Sequence, residues 1–387
     1  MYRKTYVKID NKILTNNIKE IVSKYNNYKY YFGVVKGNAY GHGDYIVNDL
    51  IKGGINYLAV SSLEEAISIR KYNKEIPILC LEPIDLSYLK EIEDNKVTIT
   101  IESNDYVKEL INKKITKQLK VHLKLDTGMS RLGFTNKDEL NETIKLLKEN
   151  KNIFIEGIYT HIATSGINDI YYDKQISSFK YLTQDINLKE IPIIHIGRSM
   201  TLVNHPKLPF VNGVRLGICM YGFNNSIKTP TGLRKIKRDL NLRKLNISES
   251  ILTNNLNLKT AFTLYTEVMS IRNVKKGSFV GYGANYIAKE DIIVATLPIG
   301  YVDGMNKSMK YVSINNKKYE IIGDICMDMT MVKVDNTIKI HDKVEIFGNN
   351  ISVKEVSRNM NTNAYHLLTS ITTRVPRVYD NDVEIKY

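Results

Sequence analysis

The run Tyr30-Tyr31-Phe32-Gly33-Val34-Val35 is apolar, aromatic and β-branched. It ends on Lys36, followed at once by Gly37-Asn38-Ala39-Tyr40-Gly41-His42-Gly43. Such a run reads as a buried strand. A lysine at its end is held by rigid backbone while its amine points into a cavity. Partial desolvation there lowers the amine's pKa and frees the neutral form to attack a carbonyl carbon. Gly37, Gly41 and Gly43 let the backbone turn tightly and approach a ligand, and the Tyr40 hydroxyl is placed to reach a phosphate. Taken alone, the same residues suit a strand capped by a solvated lysine and a Gly/Asn turn equally well.

The elements that would hold such a lysine repeat along the chain. Strand patterns fall at Tyr30–Val35, Tyr57–Val60, Pro77–Leu81, Val97–Ile101, Leu119–Leu125, Phe154–Thr160, Ile193–Ile196 and Val211–Leu216. Helical spacing lies between most of them, clearest at Asp44–Ile51, Leu63–Tyr72, Asp105–Ile111 and Lys137–Asn150, the last opened by Thr135-x-x-Asp138 as a capping-box variant. Another helical stretch, Lys12–Ser23, precedes them, after a short strand over Tyr6–Asp10. Eight strand–helix units predict an α/β chain with an N-terminal (β/α)8 barrel. The rival, a doubly wound open sheet, would carry its phosphate site in a glycine-rich turn opening a helix, and no GxGxxG follows any strand here. A barrel instead demands ligand groups at many strand ends, and Lys36, Arg131, His161, Ser199, Arg215 and Gly217 meet that demand.

From Asn224 to Lys259 the pattern lapses into a polar stretch with Pro230, Gly232 and the basic cluster Arg234–Arg238, which reads as a domain connection. From Ala261 short strands predict a mainly β domain: Phe262–Ile271, Ser278–Tyr282, Ile292–Leu297, Tyr311–Ile314, Lys318–Ile322, Met331–Val334 and Lys343–Ile346. Helical spacing returns at Ser352–Asn359 and Ala364–Ser370. The expected division is residues 11–240 for the barrel and 241–387 for the β domain, with the boundary inside 224–259 and residues 1–10 free to join the second.

The chain has 387 residues, 25% charged, with a formal net charge of +14. Lysines are spread throughout and often stand beside acids, so the charge reads as a solvated surface rather than a nucleic-acid groove. No apolar run approaches the roughly 20 residues of a membrane span, and no apolar signal core follows Met1. Cys80, Cys219 and Cys326 lie far apart without CxxC spacing, which implies reduced thiols, no metal site and a cytoplasmic location.

At least seven segments, in order, resemble the alanine racemases. Val34–Gly43 (VVKGNAYGHG) resembles that family's pyridoxal-phosphate lysine segment, which usually has Ala where Gly37 stands. His122–Phe134 (HLKLDTGMSRLGF) resembles HxKxDTGMxRLG, which implies that Arg131 touches the cofactor's phenolic oxygen and the substrate, with Lys124 in the place of a supporting lysine that is often carbamylated in the family, its own carbamylation being left open. Tyr159-Thr160-His161-Ile162-Ala163 resembles the segment whose imidazole lies against the pyridine ring, and His195–Ser199 the one that gives Ser199 to the phosphate. Gly213–Gly222 (GVRLGICMYG) resembles RxGIxxYG, which implies Arg215 at the pyridine nitrogen and the Gly217 and Ile218 amides on the phosphate. Val280–Tyr286 resembles the segment of the second catalytic group, Tyr282. Ile299–Gly304 and Cys326–Met329 resemble GYADG and CMD, which implies Tyr301 at the substrate entrance and the Met327 backbone on the substrate carboxylate. Ser370–Arg377 (SITTRVPR) resembles TISYRVPR, with Thr373 where the family's phosphate-contacting tyrosine is expected. Arg198 (usually Asn), Asp324 (usually Arg) and Thr373 are departures.

The resemblance implies a pyridoxal-phosphate racemase of fold type III, acting on alanine and supplying D-alanine for peptidoglycan. Removing a proton from one face and returning one to the other takes two groups, and these would be Lys36 for the D-enantiomer and Tyr282 for the L-enantiomer. Tyr282 and Met327 would reach a partner's barrel, which implies a head-to-tail homodimer. Thr373 and Arg198 leave open a serine or broad-specificity racemase. A non-enzymatic cofactor carrier is the rival from another class, and the Tyr282-bearing domain argues against it. A nucleic-acid module rests on charge alone.

Overall fold

The computed structural model describes residues 3–164, 169–223, 256–380 and 383–385, with positions 232, 233, 236 and 240 between them. The Arg234–Arg238 cluster, apart from Ile236, lies outside the described residues, as does most of the 224–259 connection.

Eight parallel strands close into a barrel: β2 (Tyr30–Val34), β3 (Tyr57–Val60), β4 (Ile78–Cys80), β5 (Val97–Ile101), β6 (Leu119–Lys124), β7 (Ile153–Tyr159), β8 (Ile193–Arg198) and β9 (Gly213–Leu216). Each agrees with its expected strand to within two residues at either end. Pairing of Tyr30 with Gly213 and of Gly33 with Leu216 seals the ring, which excludes the open sheet. Both faces of these strands are covered, so they are apolar almost throughout, as parallel strands under helices must be. Phe32, Ile99, Val121, Leu123, Ile158 and Val214 are fully buried.

Side-chain caps start the helices that cover the barrel. Ser62 accepts from Glu65 N ahead of Leu63–Arg70, and Ser103 from Tyr106 N ahead of Asn104–Ile111. The expected capping box at Thr135 is not the one used. Asn136 stands one residue nearer the helix Lys137–Glu149, and its Oδ1 accepts from Asp138 N (2.7 Å) and Glu139 N (3.1 Å). The stretch expected as a helix over Asp44–Ile51 begins as a 3-10 turn at Asp44–Ile46 and continues as the helix Val47–Gly53.

The second domain is built on one ten-stranded sheet, and it recruits the first strand of the chain, β1 (Tyr6–Ile9). Its other members are β10 (Phe262–Glu267), β11 (Ser270–Val274), β14 (Ile292–Leu297), β15 (Tyr311–Ile314), β16 (Lys317–Ile321), β17 (Thr330–Val334), β18 (Lys343–Phe347), β19 (Arg377–Tyr379) and β20 (Val383–Ile385). A separate ribbon pairs β12 (Phe279–Val280) with β13 (Tyr286–Ile287). The single strand expected over Phe262–Ile271 is two. At Val268 and Met269 the chain leaves β18 and joins β14, so one apolar run serves two distant places in the sheet. The strand expected over Ser278–Tyr282 stops at Val280, because Gly281 turns the backbone into the left-handed region (φ 78°) and Tyr282 opens a short turn.

Arg377 locks the two domains together. Its side chain is 1% exposed. It donates to the carbonyls of Gly41 (3.0 Å), Thr372 (2.7 Å), Val375 (2.7 Å) and Ile371 (2.7 Å). One of these acceptors belongs to the segment after Lys36, and Tyr379 Oη donates to His42 O nearby (2.9 Å). Removing the guanidinium leaves buried carbonyls without donors. Arg377→Ala is expected to cost on the order of 3 kcal/mol, read as a fall in the thermal unfolding midpoint, with Arg377→Lys between it and the native chain. An unchanged midpoint in Arg377→Ala would show that the lock is dispensable.

Candidate active site

The carboxyl ends of the barrel strands surround a cavity of about 1010 Å³. Lys36 and Tyr40 enter it from β2, Lys124 and Arg131 from β6, His161 from β7, Arg198 and Ser199 from β8, and Arg215, Gly217 and Ile218 from β9. The expected lysine therefore shares one cavity with the phosphate-type groups and the arginines.

The segment after Lys36 is more constrained than a Gly/Asn turn. Gly37, Asn38, Ala39 and Tyr40 all have left-handed backbone, with φ of 64°, 52°, 51° and 54°. Three of them carry a Cβ, and each such residue costs roughly 1–2 kcal/mol in this region. The turn is held by Ala39 N to Val35 O (2.8 Å), Gly41 N to Gly37 O (2.9 Å) and Gly43 N to Asn38 O (2.9 Å). Glu65 adds a carboxylate that accepts from Gly37 N (2.6 Å) and Ser61 N (2.8 Å). The result presents the Lys36 amine and the Tyr40 phenol to the same cavity.

One end of the cavity is built of hydroxyls, amides and a cation. Ser199 Oγ accepts from Gly217 N (2.9 Å) and from Cys219 Sγ (3.0 Å). A Cβ on Gly217 would stand 3.2 Å from Tyr40 Oη and 3.9 Å from Ser199 Oγ, so the absence of a side chain opens a cradle there. Burial raises the Tyr40 pKa, keeping it a neutral donor. The Tyr365 ring lies 5.6 Å from that of Tyr40. Arg198 lines the cavity rather than pointing into solvent, close enough to feel both phenols electrostatically. Such a set fits a phosphate monoester, whose oxygens only accept.

Another part of the wall centres on Arg215. Its Nη1 donates to His195 O (2.9 Å) and its Nη2 to Thr160 O (2.7 Å) and Ile196 O (3.2 Å). Burial lowers its pKa to about 10, with Arg198 and Arg131 adding to the effect, and it remains a cation at neutral pH. His161 is pushed down to about 2, by burial first and then by Arg215, Arg198, Lys124 and Arg131, so its ring is neutral. Lys124 is 4% exposed. Burial, then Arg215 and Arg131, lowers its pKa to about 7. Asp126 folds the turn that presents Arg131, accepting from Gly128 N (2.9 Å), Ser130 N (3.0 Å) and Arg131 N (2.8 Å).

Four expected site residues do not line this cavity. Tyr282 is 71% exposed and Met327 52% exposed, both on the β domain. Tyr301 adjoins Met327 through Tyr301 N to Cys326 O (3.0 Å) and Val302 N to Met327 O (3.2 Å). Asn285 Nδ2 donates to Asp324 Oδ2 (2.9 Å), which ties the Tyr282 turn to the same loop. Thr373 is the fourth, and the expectation that it contacts phosphate is corrected. It sits exposed in the turn after the helix Ala364–Thr369, and the phenol at that end of the cavity is Tyr365, from the helix itself. Tyr365 and Thr369 lie one helical turn apart and both face the cavity. Asn363 caps that helix, accepting from His366 N, and this was the signal in the sequence that could have found Tyr365. Glu65 and Glu82 also line the cavity and carried no motif of their own, and Tyr159 lines it from the histidine segment, where it had no role assigned.

The family described as alanine racemase, N-terminal domain, matches residues 9–225, and alanine racemase, C-terminal domain, matches residues 261–379. An alanine racemase of Methanococcus maripaludis is 33% identical, with 97% of this chain and 98% of that one covered. Alanine racemase from E. faecalis superposes with a TM-score of 0.87 at 28% identity, covering 98% of this chain and 99% of that one. The Bacillus anthracis alanine racemase with bound L-Ala-P gives 0.86 at 29% identity, covering 100% and 97%. Both family domains, a near-complete relative and the closed barrel agree: the chain belongs to the alanine racemase family, a family of isomerases.

Proposed function

We propose that this chain is a pyridoxal-phosphate-dependent racemase that interconverts L- and D-alanine as a head-to-tail homodimer in the cytoplasm, and so supplies D-alanine for peptidoglycan. The observation that carries the reading is the single cavity that joins the Lys36 amine, a phosphate cradle and the ionised Arg215. The donor set fits the cofactor. Lys36 would hold it covalently. Tyr40, Ser199 and the Gly217 and Ile218 amides would hold its phosphate, with Tyr365 taking the place first given to Thr373. Bound there, pyridoxal phosphate would supply an electron-withdrawing ring that acidifies the Cα–H of an amino acid joined to it.

The residues divide the remaining work. Lys36, fixed at the end of β2, would take or give the Cα proton on one face. Tyr282 would do so on the other, from a second copy of the chain. Its exposure on the β domain, on a turn that Asn285 ties to the loop leading to Met327, supports a site completed by a partner. Arg215 keeps its own proton, so a ring nitrogen held against it would stay unprotonated, which would temper the sink and disfavour side reactions. Its Nε has no protein partner among the described residues and is the nitrogen left for that contact. The His161 ring, neutral, would lie against the cofactor. Arg131 would meet the phenolic oxygen and the substrate carboxylate with its planar fork. The Met327 backbone would meet the same carboxylate and Tyr301 would narrow the entrance. Serine is the second reading. Thr373 no longer supports it, which leaves Arg198, and the Tyr365 ring at the cradle favours a small side chain.

Purified protein is expected to carry the visible absorbance of the bound coenzyme and to racemise alanine; colourless protein that takes up none would sink the reading. Lys36→Ala should lose both properties. Tyr282→Phe should keep the coenzyme and lose at least about 100-fold in the L→D direction. Mixed dimers of these two variants should regain activity, because one of their two sites then pairs a native Lys36 with a native Tyr282.

Lys124 is expected to be carbamylated. An amine with a pKa of about 7 is substantially neutral at pH 8, and only the neutral form attacks carbon dioxide. Labelled bicarbonate should therefore give a carbamate resonance at pH 8 that weakens as pH falls through 7 and is missing in Lys124→Ala. Finally, kcat/KM should be higher for L-alanine than for L-serine; the reverse order would make this a serine racemase.

A further inference from the structure

A line of polar side chains runs down the barrel beneath Arg215. Arg215 Nη1 lies 2.6 Å from His195 Nδ1, His195 Nε2 lies 2.9 Å from His122 Nδ1, and His122 Nε2 lies 3.3 Å from a Glu156 carboxylate oxygen. Both histidines are fully buried, Arg215 is 3% exposed and Glu156 is 7% exposed.

The chemistry of the two ends fixes every proton between them. A guanidinium has only hydrogens to offer, so His195 Nδ1 accepts. A neutral imidazole that accepts at Nδ1 carries its proton on Nε2, and His195 therefore donates to His122 Nδ1. By the same rule His122 carries its proton on Nε2 and donates to Glu156 Oε2. Burial keeps both rings neutral, lowering each imidazole's pKa. Every bond then points one way, from the cation to the carboxylate.

Glu156 is equipped to end such a line. Its Oε2 also accepts from Tyr57 Oη (2.7 Å) and its Oε1 from Lys120 Nζ (2.6 Å). Burial opposes ionisation, but the bonds from His122, Lys120 and Tyr57 win and hold the carboxyl at about 2. The surrounding barrel is shaped to the line. His195 stacks on Phe32 (4.5 Å between ring centres) and on Tyr159 (4.6 Å). A Cβ on Gly157 would come within 2.5 Å of the His122 ring.

We propose that Glu156 is a positioning residue for Arg215: through His122 and His195 its carboxylate sets a one-way hydrogen-bond relay that fixes the guanidinium and leaves Nε facing the cavity. Its consequence for the coenzyme rests on the function proposed above, whereas the direction of the relay does not.

The test is nitrogen-15 NMR of histidine-labelled holoenzyme, with the visible absorbance recorded alongside. In the native chain His122 and His195 should each show protonated Nε2 and bare Nδ1. In Glu156→Gln the amide oxygen prefers the Lys120 ammonium, so the amide nitrogen turns its hydrogens on His122 Nε2. Two donors then meet along the line, so the nitrogen resonances of both imidazoles should shift, including those of His195, which Glu156 does not touch, and the absorbance band should shift. Adding Lys120→Met removes that bias, lets the amide oxygen return to His122 and should restore the native resonances. Native His195 protonated on Nδ1 would overturn the proposal. So would a His195 signal unchanged in Glu156→Gln, or a change that Lys120→Met does not reverse. If the protein took up no coenzyme, the function above would fail while the NMR still decided the relay.

Discussion

The dominant constraint on this molecule is positive charge crowded at one end of a barrel. Lys36, Lys124, Arg131, Arg198 and Arg215 border one cavity, and among the described lining residues Glu65 and Glu82 are the carboxylates. Like charges brought together in a poorly hydrated space destabilise each other. The structure answers in several ways. Lys124 and His161 are driven towards their neutral forms. Arg215 spreads its charge over the carbonyls of Thr160, His195 and Ile196. The residual excess makes an anionic occupant favourable, and the cradle of hydroxyls and amides beside Arg198 defines where its charge belongs.

The second constraint is conformational. A lysine must sit at the end of a strand and a phenol four residues later must face the same space. A right-handed turn is the ordinary continuation, yet the backbone from Gly37 to Tyr40 winds the other way. That strain persists because its surroundings over-determine it. Glu65 holds the first amide, Arg377 holds the Gly41 carbonyl from the other domain, and Tyr379 holds that of His42. The β domain is thus part of the scaffold of the lysine segment and more than a neighbour to it.

These relations explain what was readable in the sequence. Most of the barrel strands were legible because they are short apolar runs covered on both faces, and the cavity residues because a barrel delivers strand ends to one place. Local pattern failed where a residue's job is set by something distant. Phe262–Ile271 is one apolar run, but its halves pair with β18 and β14, and nothing local marks the handover at Val268. Asn136 and Thr135 are both acceptable caps, and one residue of helix phase chose between them. Thr373 sits in a recognisable motif, yet the phenol that faces the cavity comes eight residues earlier, from a short helix whose side chains the motif does not describe. The His122–His195–Glu156 line was equally hidden, since its members come from three strands and meet only inside the closed ring.

The position of β1 has a consequence for how the polypeptide is made. It lies between β10 and β19, antiparallel to the first and parallel to the second. β1, made before the barrel strands, therefore finds its last neighbour only after the barrel and most of the β domain have been made. The ring of β2–β9 can close while β1 waits outside it, and Arg377, next to β1 in that pairing, arrives at the same late moment. Completion of the lysine segment is in this way coupled to the making of the β domain, so a nascent fragment ending before Arg377 holds the barrel strands without the clasp that secures their most reactive turn.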